Sequence, residues 1–165
     1  MEERRTEKDM YYVRKKLMGE SLRPIIELDL FPGCLALIDT GAMIPVWTGE
    51  ESKLKALEGV RSLDKQGTFS GFGGYSKGNL YEMTLNFGGL YYINLPIIAS
   101  RMKDVSWHMV LPATIFDGMR YTIDNIQGMA IFEASDNQPV RHLKYQNRNG
   151  GMHILSQETS QQRLA

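Results

Sequence analysis

The sequence predicts a mostly β domain. Between Ile25 and Ala134, short apolar stretches alternate with turn residues, which is typical of sheet-forming chains. The stretch NLYEMTLNFGGLYYINLPI alternates apolar and polar residues on both sides of Gly88 and Gly89, which indicates a β-hairpin. Only the stretch EESKLKALEG favours a helix within this region, and it is short.

The N-terminal extension, residues 1–24, has a different texture. Its charges are mixed in sign, and Met10, Val13, Leu17 and Met18 recur at helical spacing before Gly19. This pattern predicts a short amphipathic helix that packs on the core or on a partner.

The central region, residues 25–134, carries the strand pattern, and RYTIDN and MAIFEA predict two further strands near its end. From Ser135 to Ala165 the chain is polar and rich in Asn and Gln, which predicts a loop-like or disordered tail. The stretch MHIL is the one strand-like segment of that tail.

The composition argues against several functional classes. The 165-residue chain has 19 Lys and Arg residues and 19 Asp and Glu residues, so no net charge points to nucleic acid or to a membrane surface. No apolar run approaches the roughly 18 residues that span a bilayer, and MEERRTEKDM is too charged for a signal peptide. The single cysteine, Cys34, cannot form an internal disulfide. We therefore expect a cytoplasmic protein.

Metal and cofactor motifs are not apparent. His108, His142 and His153 are scattered, without the spacing of a zinc site. The glycine-rich stretch GFGGYSKG lacks both the dinucleotide-binding and the phosphate-binding spacing. The sequence predicts no cofactor and no metal.

The stretch LALIDTGAMIPVW contains the most informative residues. Residues 35–38 place apolar groups on both faces, which predicts a strand buried on both sides. Asp39 ends that strand, where a carboxylate is costly to desolvate. Thr40 offers a hydroxyl, and Gly41 allows a close backbone approach. Taken alone, the tripeptide is typical of a strand followed by an Asx-type turn.

Two later stretches change that interpretation. GTFSGFGGYSKG interleaves glycines with Phe69, Phe72 and Tyr75, which indicates the tip of a hairpin. WHMVLPATIFDGMRYTID gives an apolar strand, a proline, a short helical turn around Ile115 and Phe116, and another strand.

This order of features resembles one subunit of the retroviral-type aspartic proteases, the retropepsin family, over residues 25–128. The resemblance implies a closed, mostly β, retropepsin-like barrel with a flap hairpin and one short helix after the last pocket strand. It implies a homodimeric aspartic endopeptidase that acts on polypeptide substrates without a cofactor or a metal.

The resemblance also assigns residues to roles. Asp39 resembles the catalytic aspartate, Thr40 the residue that hydrogen-bonds across the subunit interface beneath it, and Gly41 the floor beside bound peptide. The implied substrate-binding residues are Ala42 on the floor, Phe69, Gly71, Phe72, Gly73 and Gly74 on the flap, and Val110 and Leu111 on the pocket strand.

One chain supplies only one of the two carboxylates that this chemistry needs. Asp117 precedes a glycine directly and lacks the hydroxyl residue between them, so a second copy of Asp39 has to come from a second chain. The two carboxylates would share one proton, because like charges cannot both ionise cheaply at that distance. Candidate dimer-forming segments are residues 151–157, GMHILSQ, and the N-terminal helix.

Departures from the family pattern keep two alternatives open. Pro112 stands where the family usually has Gly, and Met43 and Ala113 stand where retroviral members often carry a paired Asp and Arg. These favour a non-catalytic peptide-binding or dimerisation module with the same fold. The basic residues within 141–148 allow a structural protein of a mobile element that binds nucleic acid, although a solvated tail explains them more simply.

Overall fold

The structure, a computed structural model, describes residues 11–19, 23–42, 44–71, 74–134, 140–148 and 151–159. Strands dominate this part of the chain, which confirms the predicted mostly β class. The strands are β1 Tyr11–Lys16, β2 Ile25–Glu27, β3 Leu35–Asp39, β4 Val46–Trp47, β5 Arg61–Gly71, β6 Gly74–Phe87, β7 Leu90–Ala99, β8 Met109–Pro112, β9 Met119–Asp124, β10 Met129–Ala134, β11 Val140–Arg148 and β12 Gly151–Thr159. The helical segments in these residues are α1 Glu51–Lys55 and a 3₁₀ helix at Ala113–Phe116.

The strands form two sheets within the described residues. In the larger sheet the order is β12-β11-β7-β4-β8-β3-β2, and β6 joins β7 and carries β5 on its other side. The smaller sheet has the order β1-β10-β9. A closed barrel requires the end strands to pair with each other, whereas β2 and β12 do not pair in the described part of the chain. The closed barrel is therefore not confirmed, because the chain after β10 extends the sheet beyond β7 instead of closing it.

Several local predictions are confirmed. The β6–β7 hairpin turns at Gly88 and Gly89, whose φ angles of 58° and 99° suit glycine, and Asn86 Oδ1 accepts the Gly89 N–H. Helix α1 lies in the stretch predicted to be helical, and the 3₁₀ helix follows β8 as expected. The stretches RYTIDN and MAIFEA form β9 and β10.

The predicted N-terminal helix is wrong for residues 11–16, which form β1 and pair antiparallel with β10. The described side chains of β1 alternate in exposure: Tyr12, Arg14 and Lys16 are exposed, and Val13 is partly buried. The strand period of two therefore describes this segment, although its apolar residues also fit a helical period. Pairing with β10 supplies the backbone hydrogen bonds that decide between the two. Residues 1–10, where the helix was predicted to begin, lie outside the described residues.

The C-terminal tail also differs from its prediction in part. The expected strand at MHIL is confirmed inside β12, but residues 140–148 form β11 rather than a loop. The two strands pair with each other, and β11 also pairs parallel with β7. The polar composition of residues 140–148 does not predict a strand, because the place of β11 in the sheet comes from backbone pairing with strands distant in the chain.

Buried apolar residues fall into two clusters on opposite faces of β3 and β8. Ala36, Ile38 and Leu111 belong to the main core. Leu37 and Val110 belong to the other one. We call this the second cluster, and its buried members are Ile25, Leu37, Ile44, Val46, Leu80, Ile98, Trp107 and Val110. The predicted burial of β3 on both faces is confirmed.

Candidate active site

Asp39 is the last residue of β3, a strand held between β2 and β8. Its register partner on β8 is Pro112. Because side chains alternate along a strand, Asp39 shares a face with Leu37, a member of the second cluster. Asp39 itself is partly exposed. The strand therefore presents a carboxylate at the border of an apolar cluster.

The residues after Asp39 form a tight turn around its side chain. The Gly41 N–H donates to Asp39 Oδ1 over 3.0 Å, and the Ala42 N–H donates to the Asp39 carbonyl over 3.0 Å. A Cβ at Gly41 would lie 3.3 Å from Oδ1, a close contact that glycine avoids. The Asx-type turn is thus confirmed. It engages one carboxylate oxygen, and no described residue donates to Oδ2.

The other residues of the turn differ in exposure. Thr40 and Gly41 are exposed. Ala42 is partly buried and packs against the second cluster. Exposed positions next to the carboxylate are where a second subunit or a peptide would have access. The cross-subunit role of Thr40 stays a prediction.

The predicted flap is a hairpin formed by β5 and β6. Its ladder begins with Arg61 opposite Glu82, has a register shift between Ser62 and Gln66, and ends with Gly71 opposite Gly74. Phe72 and Gly73, predicted to form the tip, lie outside the described residues. On the arm, Phe69 is partly buried against the second cluster. The hairpin arm and the Asp39 turn therefore contact the same apolar cluster.

The two predicted pocket residues on β8 point to opposite faces. Val110 lies in the second cluster, on the face that Asp39 shares, and it is fully buried. Leu111 is also fully buried, but it lies in the main core. The structure thus brings together Asp39, Ala42, Phe69 and Val110 around one cluster, and it places Leu111 on the other side of the sheet.

Two glycines at the base of the flap were missed by the sequence interpretation. A Cβ at Gly78 would lie 1.8 Å from the Ala99 carbonyl oxygen, and a Cβ at Gly67 would lie 2.7 Å from Ile98 Cδ1. These positions face each other where the hairpin leaves the end of β7. No local signal distinguishes them, because the close approach is to a strand that lies far along the chain.

Helix α1 is attached to the base of the flap through Glu51. Its Oε2 accepts hydrogen bonds from Asn79 Nδ2 at 2.8 Å and from Tyr81 Oη at 2.5 Å. These bonds hold the pKa of the Glu51 carboxyl below its usual range. Burial, followed by the bond to Glu51, raises the pKa of Tyr81 to about 12. The same residues line an open polar groove of about 460 Å³ beside Lys55 and Asp64.

His108 has a structural position at the opposite end of β3 from Asp39. Its Nδ1 accepts the Leu35 N–H at 3.2 Å, and its ring packs edge-on against Phe31 with a centroid distance of 5.2 Å. Burial, with smaller contributions from Lys53 and Arg101, lowers the pKa of the imidazole. Because its Nδ1 already accepts a hydrogen bond, we assign His108 a structural role, in which it links the first residue of β3 to the start of β8.

Two further features were looked for in the described residues, a cluster of metal-ligating side chains and a membrane-spanning helix. In that part of the chain, no three His, Cys, Asp or Glu side chains converge to hold a metal ion. None of its helices has the length and apolar character that crossing a bilayer requires.

The chain was also compared with known proteins. No protein-family model, curated protein or solved structure matches it.

Proposed function

We propose that the protein is an aspartic endopeptidase that works as a homodimer, with Asp39 of each subunit forming the catalytic pair. The observation that carries the proposal is the environment of Asp39. A strand-end carboxylate with one oxygen held in a turn lies beside the second cluster, over which the arm of the β5–β6 hairpin also packs. The turn engages one carboxylate oxygen, and because Asp39 is partly exposed, a water molecule or a partner can reach the other one.

The order of elements adds support. The Asp39 strand comes first, the flap hairpin second, and the apolar strand β8 with its 3₁₀ helix third. Strand β8 lies directly beside β3, so the first and third features are joined in space. The proposal includes a retropepsin-like arrangement of these strands in the dimer.

The chemistry follows from two carboxylates that share one proton. The ionised Asp39 accepts a proton from water as the water oxygen attacks the carbonyl carbon of the scissile peptide bond. The protonated Asp39 of the partner subunit donates its proton to the carbonyl oxygen. The Asp39 that took the proton from water then donates it to the amide nitrogen, and the other Asp39 takes a proton back from the tetrahedral intermediate as the C–N bond breaks. An amine and a carboxylic acid are released, and the pair is singly protonated again.

The remaining roles concern binding and access. The flap holds an extended peptide by strand addition and excludes water from the pair. Ala42 and Phe69, which are partly buried, offer apolar contacts on the Asp39 face, and the fully buried Val110 packs in the same cluster. A cytoplasmic location belongs to the same proposal, and it is supported by Cys34, which is buried and whose pKa burial raises to about 12. Such a thiol is unreactive and needs no oxidising compartment.

The test is cleavage of a mixed peptide library by the wild type and by Asp39→Asn. The asparagine keeps an oxygen that can accept the Gly41 N–H, so the turn and the fold should survive while cleavage is abolished. Asp117→Asn is the control, since Asp117 is an exposed aspartate outside the Asp39 turn and is followed directly by a glycine, without the intervening hydroxyl residue. Cleavage that persists in Asp39→Asn, or that is lost equally in Asp117→Asn, would contradict the aspartic mechanism.

The second candidate function is a non-catalytic peptide-binding module. It is favoured by the complete burial of Val110 and Leu111 within one chain, which leaves neither open as a pocket wall. Pro112 beside Asp39 adds to it, because proline removes an N–H from that place. Retention of library peptides without cleavage, unchanged in Asp39→Asn, would favour this candidate.

A further inference from the structure

Strand β9 leaves an open edge on the smaller sheet. In the described part of the chain it pairs with β10 alone and is the last strand in the order β1-β10-β9. Arg120, Tyr121 and Thr122 are exposed, and Ile123 and Asp124 are partly buried. A six-residue edge with unpaired backbone groups is a template for another strand, unless its side chains prevent pairing.

The side chains of β9 are self-complementary when two copies run antiparallel with Thr122 opposite Thr122. In that register Arg120 of each copy faces Asp124 of the other, and Tyr121 faces Ile123. Opposite charges, paired threonines and an aromatic residue opposite a β-branched one are all favourable cross-strand pairs. The two charged pairs also lie on one face of the sheet and the aromatic pairs on the other, as strand alternation requires.

The other edge of the same sheet lacks this property. Strand β1 carries Arg14, Lys15 and Lys16 and no acidic residue. Two antiparallel copies of β1 can form no opposite-charge pair in any register within the strand, and with Arg14 opposite Arg14 they bring cations together, which is a common way to block edge pairing. The contrast indicates that one edge is protected and the other is suited to a second copy of this chain.

We propose that two copies of the protein associate through β9, antiparallel about Thr122, to form a continuous six-stranded sheet. This inference rests on the proposed function in that it names the contact through which the catalytic dimer forms. The same chain segment connects the two sites: Asp39 pairs with Pro112, and only the 3₁₀ helix and two residues separate Pro112 from β9. The two-fold axis through Thr122 relates the two Asp39 residues as well, and the proposed function requires that axis to pass close to both of them.

The first experiment measures the dimer dissociation constant by sedimentation at low salt. Arg120→Glu places carboxylates opposite each other at two symmetric positions, and it should raise that constant roughly tenfold or more. Adding Asp124→Asn removes the repulsion and should recover most of the loss. The asparagine keeps the oxygen that caps the turn, because Asp124 Oδ1 accepts the Ile126 and Gln127 N–H groups.

Arg14→Glu, on the opposite edge, is the control and should leave the constant unchanged. In both variants the new glutamate lies opposite Glu133 of its own chain, so any effect on the fold is the same in both. A difference in the dissociation constant between the single and the double variant therefore reports the contact between subunits. A monomeric wild type, an unaffected Arg120→Glu, or a double variant as weak as the single one would each overturn the proposal.

A second experiment covers the case in which the charge variants fold poorly. Thr122→Cys places two thiols opposite each other on the two-fold axis, so mild oxidation should yield a cross-linked dimer, whereas Arg14→Cys should not cross-link. Native Cys34 is buried and does not interfere. A cross-linked dimer without cleavage would leave the interface standing and count against the proposed function. A Thr122→Cys dimer that cleaves peptides but never cross-links would contradict the β9 interface and leave the proposed function standing.

Discussion

Asp39 combines a structural and a proposed chemical role in one side chain. One carboxylate oxygen accepts the Gly41 N–H and holds the turn, which leaves the other oxygen for a proton, a water molecule or a partner. A strand-end aspartate in an Asx turn is common. Asp39 differs from a common Asx-turn aspartate in its position. The face of β3 that carries it continues into the second cluster, against which Phe69 of the flap arm packs.

The first prediction at this scale is a bell-shaped pH dependence of cleavage. Two carboxylates that share a proton are active only in the singly protonated state, so kcat/KM should be greatest in mildly acidic solution and should fall on both sides. The profile should be recorded with a peptide selected from the library. A rate that keeps rising into alkaline solution would contradict a carboxylate pair.

The second prediction concerns His108 and acid stability. Burial and two neighbouring cations lower its pKa, so the folded protein takes up this proton less readily than the unfolded chain does. The contribution of neutral His108 to the free energy of unfolding is complete above the ordinary histidine pKa of about 6.5. It is lost as the pH falls from there towards the lower pKa that His108 has in the folded protein. Protonation would also place an N–H on Nδ1, against the Leu35 N–H that it now accepts.

His108→Gln should therefore lose less stability than the wild type between about pH 7.5 and about pH 5. Its amide oxygen can still accept the Leu35 N–H without titrating. Urea denaturation at a series of pH values measures the difference between the two proteins. If the free energy of unfolding changed with pH in the same way for the wild type and His108→Gln, the Nδ1 contact would not be the cause of the stability loss in acid.

At the scale of elements, the base of the flap is set by close contacts to β7. The hairpin passes over the end of β7 at Gly67 and Gly78, where no side chain fits without movement. Next to this crossing, Glu51 of α1 receives the hydrogen bonds of Asn79 and Tyr81 from β6. The arm above the crossing, which includes Phe69, is thus supported from one side by β7 and from the other by α1.

The third prediction compares the two glycines of that crossing. Gly78→Ala should lower the free energy of unfolding by about 1–3 kcal/mol or more, because its Cβ would meet the backbone oxygen of Ala99. Gly67→Ala should cost less, because its Cβ meets the end of the Ile98 side chain, which can change rotamer. Chemical denaturation of both variants provides the measurement. Equal costs would mean that β7 does not constrain the flap at Gly78.

At the scale of the whole molecule, both segments predicted to join two subunits also pair within one chain. β1 pairs with β10, and β12 pairs with β11. Because β12 is the last strand of the larger sheet in the described residues, its part in a dimer stays a prediction. The edge at β9 is the place where a second copy finds complementary charges. The dimer is a requirement of the proposed chemistry, because a single chain contributes one Asp39.

The fourth prediction is that an inactive subunit suppresses an active one. When the wild type is mixed with an equal amount of Asp39→Asn and allowed to exchange, random pairing leaves about one quarter of the dimers with two catalytic aspartates. Cleavage per wild-type chain should then fall to about half of its value without Asp39→Asn at the same total concentration of protein. Activity that stays proportional to the wild-type chains would mean that each subunit works alone.

Much of the fold could be predicted because its signals are local. The strand ending at Asp39, the hairpin at Gly88 and Gly89, α1 and the 3₁₀ helix each depend on residue periodicity and turn chemistry within a few positions. The turn at Asp39 was predictable for the same reason, since its hydrogen bonds join residues two and three positions apart.

Contacts between distant segments account for what could not be predicted. Residues 11–16 fit both a helical and an extended period, and only pairing with β10 selects the strand. β11 is polar and owes its place to the backbone of β7 and β12. The division of Val110 and Leu111 between two clusters, the crowding at Gly78 and the open edge of β9 likewise arise when strands far apart in the chain meet. A linear pattern shows which groups a segment offers, whereas the folded chain determines which of them are covered, because burial and strand pairing depend on neighbours that the pattern does not contain.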